Sequence, residues 1–257
     1  MDNEDNNEKT YWHQILGRIL EFLLTPVGII VLTDVKVVNK LPEAYVLLLK
    51  TKSKKWTQKQ LERLPDGIRD STTNDVLLEF KATESINKNT FIQTAWYEYS
   101  YKRSQEIADD EIQTFLICAK QPQKDNREQY GYTIQVQAGV YKSTHIAYNH
   151  ITLISLNELP NKLHNAWITC LASKKLKRLK SFQLLKEQGF KQIKKAFKGF
   201  LKAIGDMWGV QYYSQEELDK LLNERLRGMR PKDVVNYFKS EQLEEIEAIL
   251  KQRKQQR

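Results

Sequence analysis

The fold prediction depends on residues 77–85, which read Leu77-Leu78-Glu79-Phe80-Lys81-Ala82-Thr83-Glu84-Ser85. The apolar positions around the charges are typical of a buried β-strand that ends near Lys81. Side chains alternate between the two faces of a strand, so Glu79 and Lys81 share one face and Phe80 points to the other. The chain pattern then predicts a short loop and a helix that contains Gln93 and Tyr97. We therefore expect a strand that carries an acid and a lysine, side by side, into the protein.

Burial of Glu79 and Lys81 would be costly without a partner or a metal ion. A divalent ion held by Glu79, with Lys81 near an attacking water, would offset that cost. The arrangement suits metal-assisted hydrolysis of a phosphodiester, because the ion lowers the pKa of bound water and the lysine steadies the phosphate or the nucleophile. A second acid-x-Lys sequence, Asp34-Val35-Lys36, is followed by Asn39 and Pro42 instead of a helix. The Glu79 sequence is therefore the candidate site.

The rest of the chain predicts helices alternating with short strands. Helical spacing covers residues 11–24, 56–63 and 91–103, and strand patterns cover residues 29–38, 44–49, 76–81, 112–119, 132–141 and 151–156. Residues 121–129 are polar and predict a loop. This alternation indicates an α/β (α+β) fold, a sheet with helices on its faces. After Pro160 the pattern is all-helical, so we expect an α/β domain over residues 11–160 and a basic helical extension over residues 161–257.

The order of helix, strands, Glu79-x-Lys81 and a helix with Gln93 resembles the core of the PD-(D/E)XK nuclease superfamily. More narrowly, the chain is similar to a bacterial group related to recombination-promoting nucleases and putative transposases. The resemblance covers about residues 12–156, with a further match near the C-terminus. The residues that carry it are Leu23-Leu24-Thr25-Pro26, Pro42-Glu43-Ala44, Trp56-Thr57, Leu64-Pro65-Asp66-Gly67-Ile68-Arg69-Asp70, Leu78-Glu79-Phe80-Lys81-Ala82-Thr83-Glu84-Ser85 and Gly228-Met229-Arg230-Pro231.

The resemblance implies a restriction-endonuclease-like mixed sheet flanked by helices. It also implies an endonuclease that depends on Mg²⁺ (or Mn²⁺) and hydrolyses phosphodiester bonds in DNA. In this chain it makes Glu79 a metal ligand and Lys81 the catalytic lysine. Glu21 on the first helix and Gln93 on the later helix would be supporting catalytic residues.

The resemblance further predicts a second metal-binding acid on the strand before Glu79, where this chain has Tyr45. A phenol is a poor ligand for Mg²⁺, which binds carboxylate oxygens at about 2.0–2.1 Å. Glu43 lies on the same predicted strand face, and Asp66 lies in a predicted turn, where its alternative role is turn formation. Asp75 shares a face with Glu79 but lies roughly 13 Å along the strand. Glu43 and Asp66 are therefore the candidates for the second ligand.

Positive charge is concentrated in one part of the chain. Residues 161–202 contain twelve Lys or Arg and one acid, a net charge of +11, so the remainder carries −2 of the formal net charge of +9. Such a local field attracts polyanions, either nucleic acid or an anionic membrane surface. The alternative is a solvated helix face. Beside a nuclease-like domain, DNA is the expected partner.

The predicted helix after Glu79 is rich in aromatic residues. They could stack on nucleic-acid bases or pack in the core, and core packing is the expectation for most of them. The set is Phe91, Trp96, Tyr97, Tyr99 and Tyr101.

Several other classes of function have no support in the sequence. Cys118 and Cys170 sit in apolar settings, and the four histidines show no metal-ligand spacing. The chain has no glycine-rich phosphate loop, so no small-molecule cofactor is expected. Residues 15–33 contain two charges and a proline, and predict a helix, a break and a strand instead of a membrane span. We expect a cytoplasmic protein.

Three hypotheses about function follow. The first is the metal-dependent endonuclease. The second is a catalytically degenerate nuclease-fold protein that binds nucleic acid or a protein partner. Tyr45 suggests it, because it stands where the second metal-binding acid is expected. The third is an interaction scaffold that forms homo-oligomers through the C-terminal helices of residues 214–257.

Overall fold

The computed structural model describes residues 2–36, 45–51, 55–83, 86–189, 199–201 and 204–205. The described helices are α1 (Asp2–Leu24), α2 (Gln58–Leu61), α3 (Lys88–Gln105), α4 (Lys124–Gln129), α5 (Leu163–Thr169) and α6 (Lys175–Leu184). The described strands are β1 (Ile30–Lys36), β2 (Tyr45–Lys50), β3 (Asp75–Lys81), β4 (Ile112–Cys118), β5 (Ile134–Gln137), β6 (Val140–Lys142) and β7 (Ile151–Ser155).

In the described part of the chain, the strands form one open mixed sheet in the order β1-β2-β3-β4-β7-β6-β5. The neighbours β1, β2 and β3 are antiparallel, and so are the neighbours β7, β6 and β5. Parallel pairings of β3 with β4 and of β4 with β7 join the two groups. Parallel neighbours need a crossover connection, and α3 supplies it between β3 and β4. The predicted α/β fold, a sheet flanked by helices, is confirmed.

The central strand β3 is buried along its whole length. Leu77 packs against Tyr97 and Tyr101 of α3, so α3 covers the face that carries the odd-numbered side chains of β3. On the other face, α1 packs on β1, β2 and β3. There the ring centroid of His13 lies 6.2 Å from that of Phe80. The charged pair on β3 is therefore directed toward α3.

The structure refines several predicted boundaries. The predicted break after the first helix is present, because α1 ends at Leu24, Thr25–Val27 forms a 3₁₀ turn and β1 follows. The predicted strand at residues 132–141 is the hairpin of β5 and β6. The predicted loop at residues 121–129 contains α4, whose Arg, Glu and Gln favour a helix. Among the described residues, no helix is both long and apolar enough to cross a membrane.

The predicted domain boundary near Pro160 and the observed division of the chain differ. Contacts divide the chain into Met1–Leu201 and Lys202–Arg257. Helices α5 and α6 therefore belong to the first unit, in which α5 contacts α1. Glu43 and the helices predicted beyond residue 205, with their possible role in oligomerisation, lie outside the described residues.

The β5–β6 hairpin requires a glycine at Gly139. Its φ is +77°, in the left-handed region. A Cβ atom there would lie 2.7 Å from the backbone nitrogen of Leu159 and 3.0 Å from the carbonyl oxygen of Ser155. The carbonyl of Gly139 also accepts a 2.8 Å hydrogen bond from the Ser155 N–H. The hairpin and the end of β7 thus meet backbone to backbone, an approach that glycine permits.

Gly139→Ala is expected to destabilise the protein by more than the roughly 1–2 kcal/mol that a left-handed conformation costs an L-residue. Gly28→Ala is the matched control, because Gly28 has a φ of +81° and a Cβ atom there meets nothing within 4 Å. Urea unfolding of both variants measures the difference. Equal losses of unfolding free energy would contradict the close backbone approach at Gly139.

Candidate active site

Glu79 and Lys81 form a buried ion pair at the end of β3. The two side chains are 2% and 6% exposed, and Lys81 Nζ lies 2.8 Å from Glu79 Oε1. The predicted strand alternation is confirmed, because both side chains lie on the α3 face. The pair is therefore shielded from solvent, as the sequence pattern predicts.

Gln93 is the second polar partner of the Lys81 ammonium group. Lys81 Nζ donates a 3.1 Å hydrogen bond to Gln93 Oε1, and Gln93 Nε2 donates to the Tyr97 hydroxyl. The helix that carries Gln93 begins at Asn87, whose side chain accepts a hydrogen bond from the Thr90 N–H. The short loop and this cap fix the start of α3, so Gln93 faces Lys81 from the second turn of the helix.

The sheet opens beside Glu79, and a histidine occupies the opening. The β2–β3 pairing ends at Leu47 and Leu78. Beyond it, the Phe80 N–H donates to His13 Nε2 at 3.4 Å, and the same nitrogen lies 3.7 Å from Glu79 Oε2. His13 is therefore a member of the site, although the histidines show no metal-ligand spacing in the sequence. A buried polar residue within the apolar positions of α1 is the signal that could have found it.

Glu79 is held in the charged form. Burial acts to raise the pKa of this carboxyl, but the positive charge of Lys81, followed by the hydrogen bond and charge of His13, lowers the pKa below its usual value. Glu79 therefore stays a carboxylate at neutral pH. The protein is expected to lose much stability if either partner of this buried ion pair is removed alone.

The described residues supply one carboxylate ligand for a divalent ion at this site. Glu79 Oε2 is buried and its polar contact with His13 Nε2 is long, at 3.7 Å, so a lone pair of this oxygen could accept a cation. The described part of the chain contains no group of three or more His, Cys, Asp or Glu able to hold a metal ion. The predicted second ligand Glu43 lies outside that part, and Tyr45 is described in its backbone only.

Asp66, the other predicted ligand, is bound elsewhere. Its Oδ1 lies 2.8 Å from His164 Nε2, and its Oδ2 accepts a 2.8 Å hydrogen bond from Asn165 Nδ2. Arg69 and Lys162 approach the same carboxylate at 3.7 and 3.8 Å. Burial opposes ionisation of Asp66, but the hydrogen bonds and the nearby positive charges lower its pKa to about 2. Both oxygens thus join the turn before β3 to the start of α5.

Glu21 also lies apart from the ion pair. Its carboxylate contacts Arg18 at 3.1 Å, and the two side chains are 46% and 64% exposed. Glu21 is eight residues beyond His13 on α1, which is roughly 12 Å along the helix axis. The structure therefore brings Glu79, Lys81, Gln93 and His13 together, and leaves Glu21 and Asp66 in other surroundings.

Comparison of the chain with family models, with curated proteins and with solved structures finds no match in any of the three. The resemblance to the PD-(D/E)XK superfamily therefore depends on the sequence motifs quoted above and stays a prediction.

Removal of one member of the ion pair is expected to cost more stability than removal of both. Glu79→Leu or Lys81→Met alone leaves a buried charge without its partner, for a loss of about 3–5 kcal/mol. The double variant should lose less than either single variant. Urea unfolding of the three variants gives the coupling. The matched control is Lys124 and Glu128, an exposed pair at 3.7 Å, whose coupling should stay below about 1 kcal/mol. Additive losses at Glu79 and Lys81 would contradict the pairing.

Asp66→Asn is expected to destabilise the protein at neutral pH and much less in acid. The folded-state pKa of about 2 lies below the ordinary value of 3.8. The stabilisation, about 2 kcal/mol, is therefore fully present above pH 3.8 and is lost as the pH falls through 2. Urea unfolding of wild type and variant from pH 6 to pH 2 measures it. Asp125→Asn, on the surface of α4, is the control. A difference between Asp66→Asn and wild type that persists unchanged to pH 2 would refute the assignment.

Proposed function

We propose that this chain is a metal-dependent endonuclease of the PD-(D/E)XK kind that hydrolyses phosphodiester bonds in DNA. The observation that carries the proposal is the buried Glu79–Lys81 pair, with Gln93 on Lys81, at the point where β2 and β3 separate. An acid and a lysine are costly to bury, so their presence on a central strand calls for an explanation beyond packing.

The order of the elements supports the same proposal. From α1 to β4 the chain forms a helix, an antiparallel group of three strands with the short α2 between the second and third, a crossover helix and a parallel fourth strand. This is the order that the resemblance implies for a restriction-endonuclease-like core. In it, the acid and the lysine come from the third strand and the glutamine from the crossover helix, the positions held here by Glu79, Lys81 and Gln93.

The chemistry assigned to each residue follows from its contacts. Glu79 would hold Mg²⁺ or Mn²⁺ through Oε2, with Oε1 on Lys81 and with Glu43 as the proposed second ligand. Such an ion neutralises charge that develops on the phosphate and lowers the pKa of bound water. Lys81 would exchange its contact with Glu79 for a phosphate oxygen or the attacking water, while Gln93 keeps its ammonium group in place.

The charge of the chain suits a polyanionic substrate. The formal net charge is +9, and α6 with the turn after it exposes Lys174, Lys175, Lys180 and Lys186. Exposed lysines of this kind bind phosphates without reading sequence. We propose that they hold the DNA backbone.

A second candidate is a nuclease-fold protein that binds nucleic acid without cutting it. The observation in its favour is that Lys81 already neutralises Glu79, while Glu79 is the one carboxylate in the described part of the site. In that case the pair would have a structural role, and the basic surface would carry the function.

Purified protein should nick supercoiled plasmid DNA with Mg²⁺ or Mn²⁺, and not with EDTA. Lys81→Met and the Glu79→Leu/Lys81→Met double variant should be slower by about 10²–10³-fold, because a positioned charge that stabilises the transition state is lost. Lys124→Ala, which changes an exposed lysine of α4, is the control and should cut like wild type.

Equal cutting by the Lys81 variants would indicate a contaminating nuclease and sink the proposal. Absence of cutting with either ion, together with DNA affinity that falls steeply with salt, would favour the second candidate.

A further inference from the structure

The aromatic residues of α3 divide into a buried set and an exposed set. Phe91, Tyr97 and Tyr101 are buried in the core, as expected. Trp96 and Tyr99 are 40% and 58% exposed, and Ile92 on the preceding turn is 47% exposed. The spacing 92, 96 and 99 places these three side chains on one helix face. We call this face the α3 stripe.

The α3 stripe lies next to the candidate active site. The Trp96 ring centroid is 6.0 Å from that of Tyr97, whose hydroxyl accepts the hydrogen bond from Gln93. Gln93 in turn binds Lys81. Gln93 follows Ile92 directly in the chain and is half-buried, so it stands at the border between the exposed stripe and the buried ion pair.

The charged side chains of α3 itself favour a polyanion. Within α3, the exposed charged residues are Lys88 near the start and Arg103 near the end. The acid of the helix, Glu98, is buried and paired with Lys102. Acidic residues on the surface begin after the helix, at Glu106. A stripe of stacking surfaces between two cations is the composition that proteins use to bind single strands, whose bases are open to stacking.

We infer that the α3 stripe binds single-stranded DNA by stacking bases on Trp96 and Tyr99, beside the Glu79–Lys81 site. The inference rests on the proposed function and deepens it, because it gives strands with unpaired bases, such as those that open in a supercoiled plasmid, as the preferred substrate. In a duplex the base faces are stacked on one another and are not available to side chains. Duplex DNA would therefore contact only Lys88 and Arg103 through its phosphates.

The test measures binding in the presence of EDTA, so that binding is observed without metal-dependent cleavage. Three fluorescent probes of equal length are compared with the full chain: oligothymidine, an abasic oligomer with the same phosphates, and a blunt duplex. Oligothymidine should bind at least about 5-fold to 100-fold more tightly than the abasic oligomer, the range expected for a single stacked base. Trp96→Ala and Tyr99→Ala should each remove most of that difference, and Trp96→Phe should restore most of it.

Tyr11→Ala, which removes another exposed aromatic side chain, should bind all three probes like wild type. Equal affinity for oligothymidine and the abasic oligomer, or unchanged oligothymidine binding by Trp96→Ala, would overturn the inference. So would a loss of self-association in Trp96→Ala with unchanged oligothymidine binding, because the stripe would then be a protein interface. Stacking-dependent binding without plasmid cutting would support this inference and contradict the proposed nuclease activity.

Discussion

The ion pair between Glu79 and Lys81 is the constraint to which the surrounding structure is adapted. A strand that is buried along its whole length accepts charged side chains such as Glu79 and Lys81 only when each has well-placed partners. Those partners come from both helical layers, His13 from α1 and Gln93 from α3. The strand register, the positions of the two helices and the charge state of Glu79 are thus linked through a few atoms at the centre of the molecule.

The features that could be predicted from the sequence are local ones. The shared face of Glu79 and Lys81 follows from the two-residue period of a strand, which holds whatever surrounds it. Gln93 was predicted from the resemblance, and the structure places it against Lys81 on a helix whose start is capped by Asn87. The alternation of helices and strands predicted a sheet with helices on its faces, and the break at Thr25–Val27 followed from the proline there.

The features that the sequence did not reveal are contacts between distant segments. His13 meets Phe80 across 67 residues, and Asp66 meets His164 across 98. No local period reports such contacts, because they depend on how whole elements pack. The change of composition at Pro160 suggested a domain boundary, whereas contacts divide the chain after Leu201 and leave α5 in the first unit.

The parallel centre of the sheet also has a consequence for how the protein assembles. Neighbours in the β5–β6 hairpin meet after a tight turn, whereas paired residues of β3 and β4, such as Asp75 and Ile112, are 37 positions apart. Closing a long loop costs more chain entropy, so we expect pairings of this kind to form after the hairpin. Glu79 and Lys81 would then stay hydrated through most of folding, and would lose their water in one of its final steps, when β4 and α3 dock on β3.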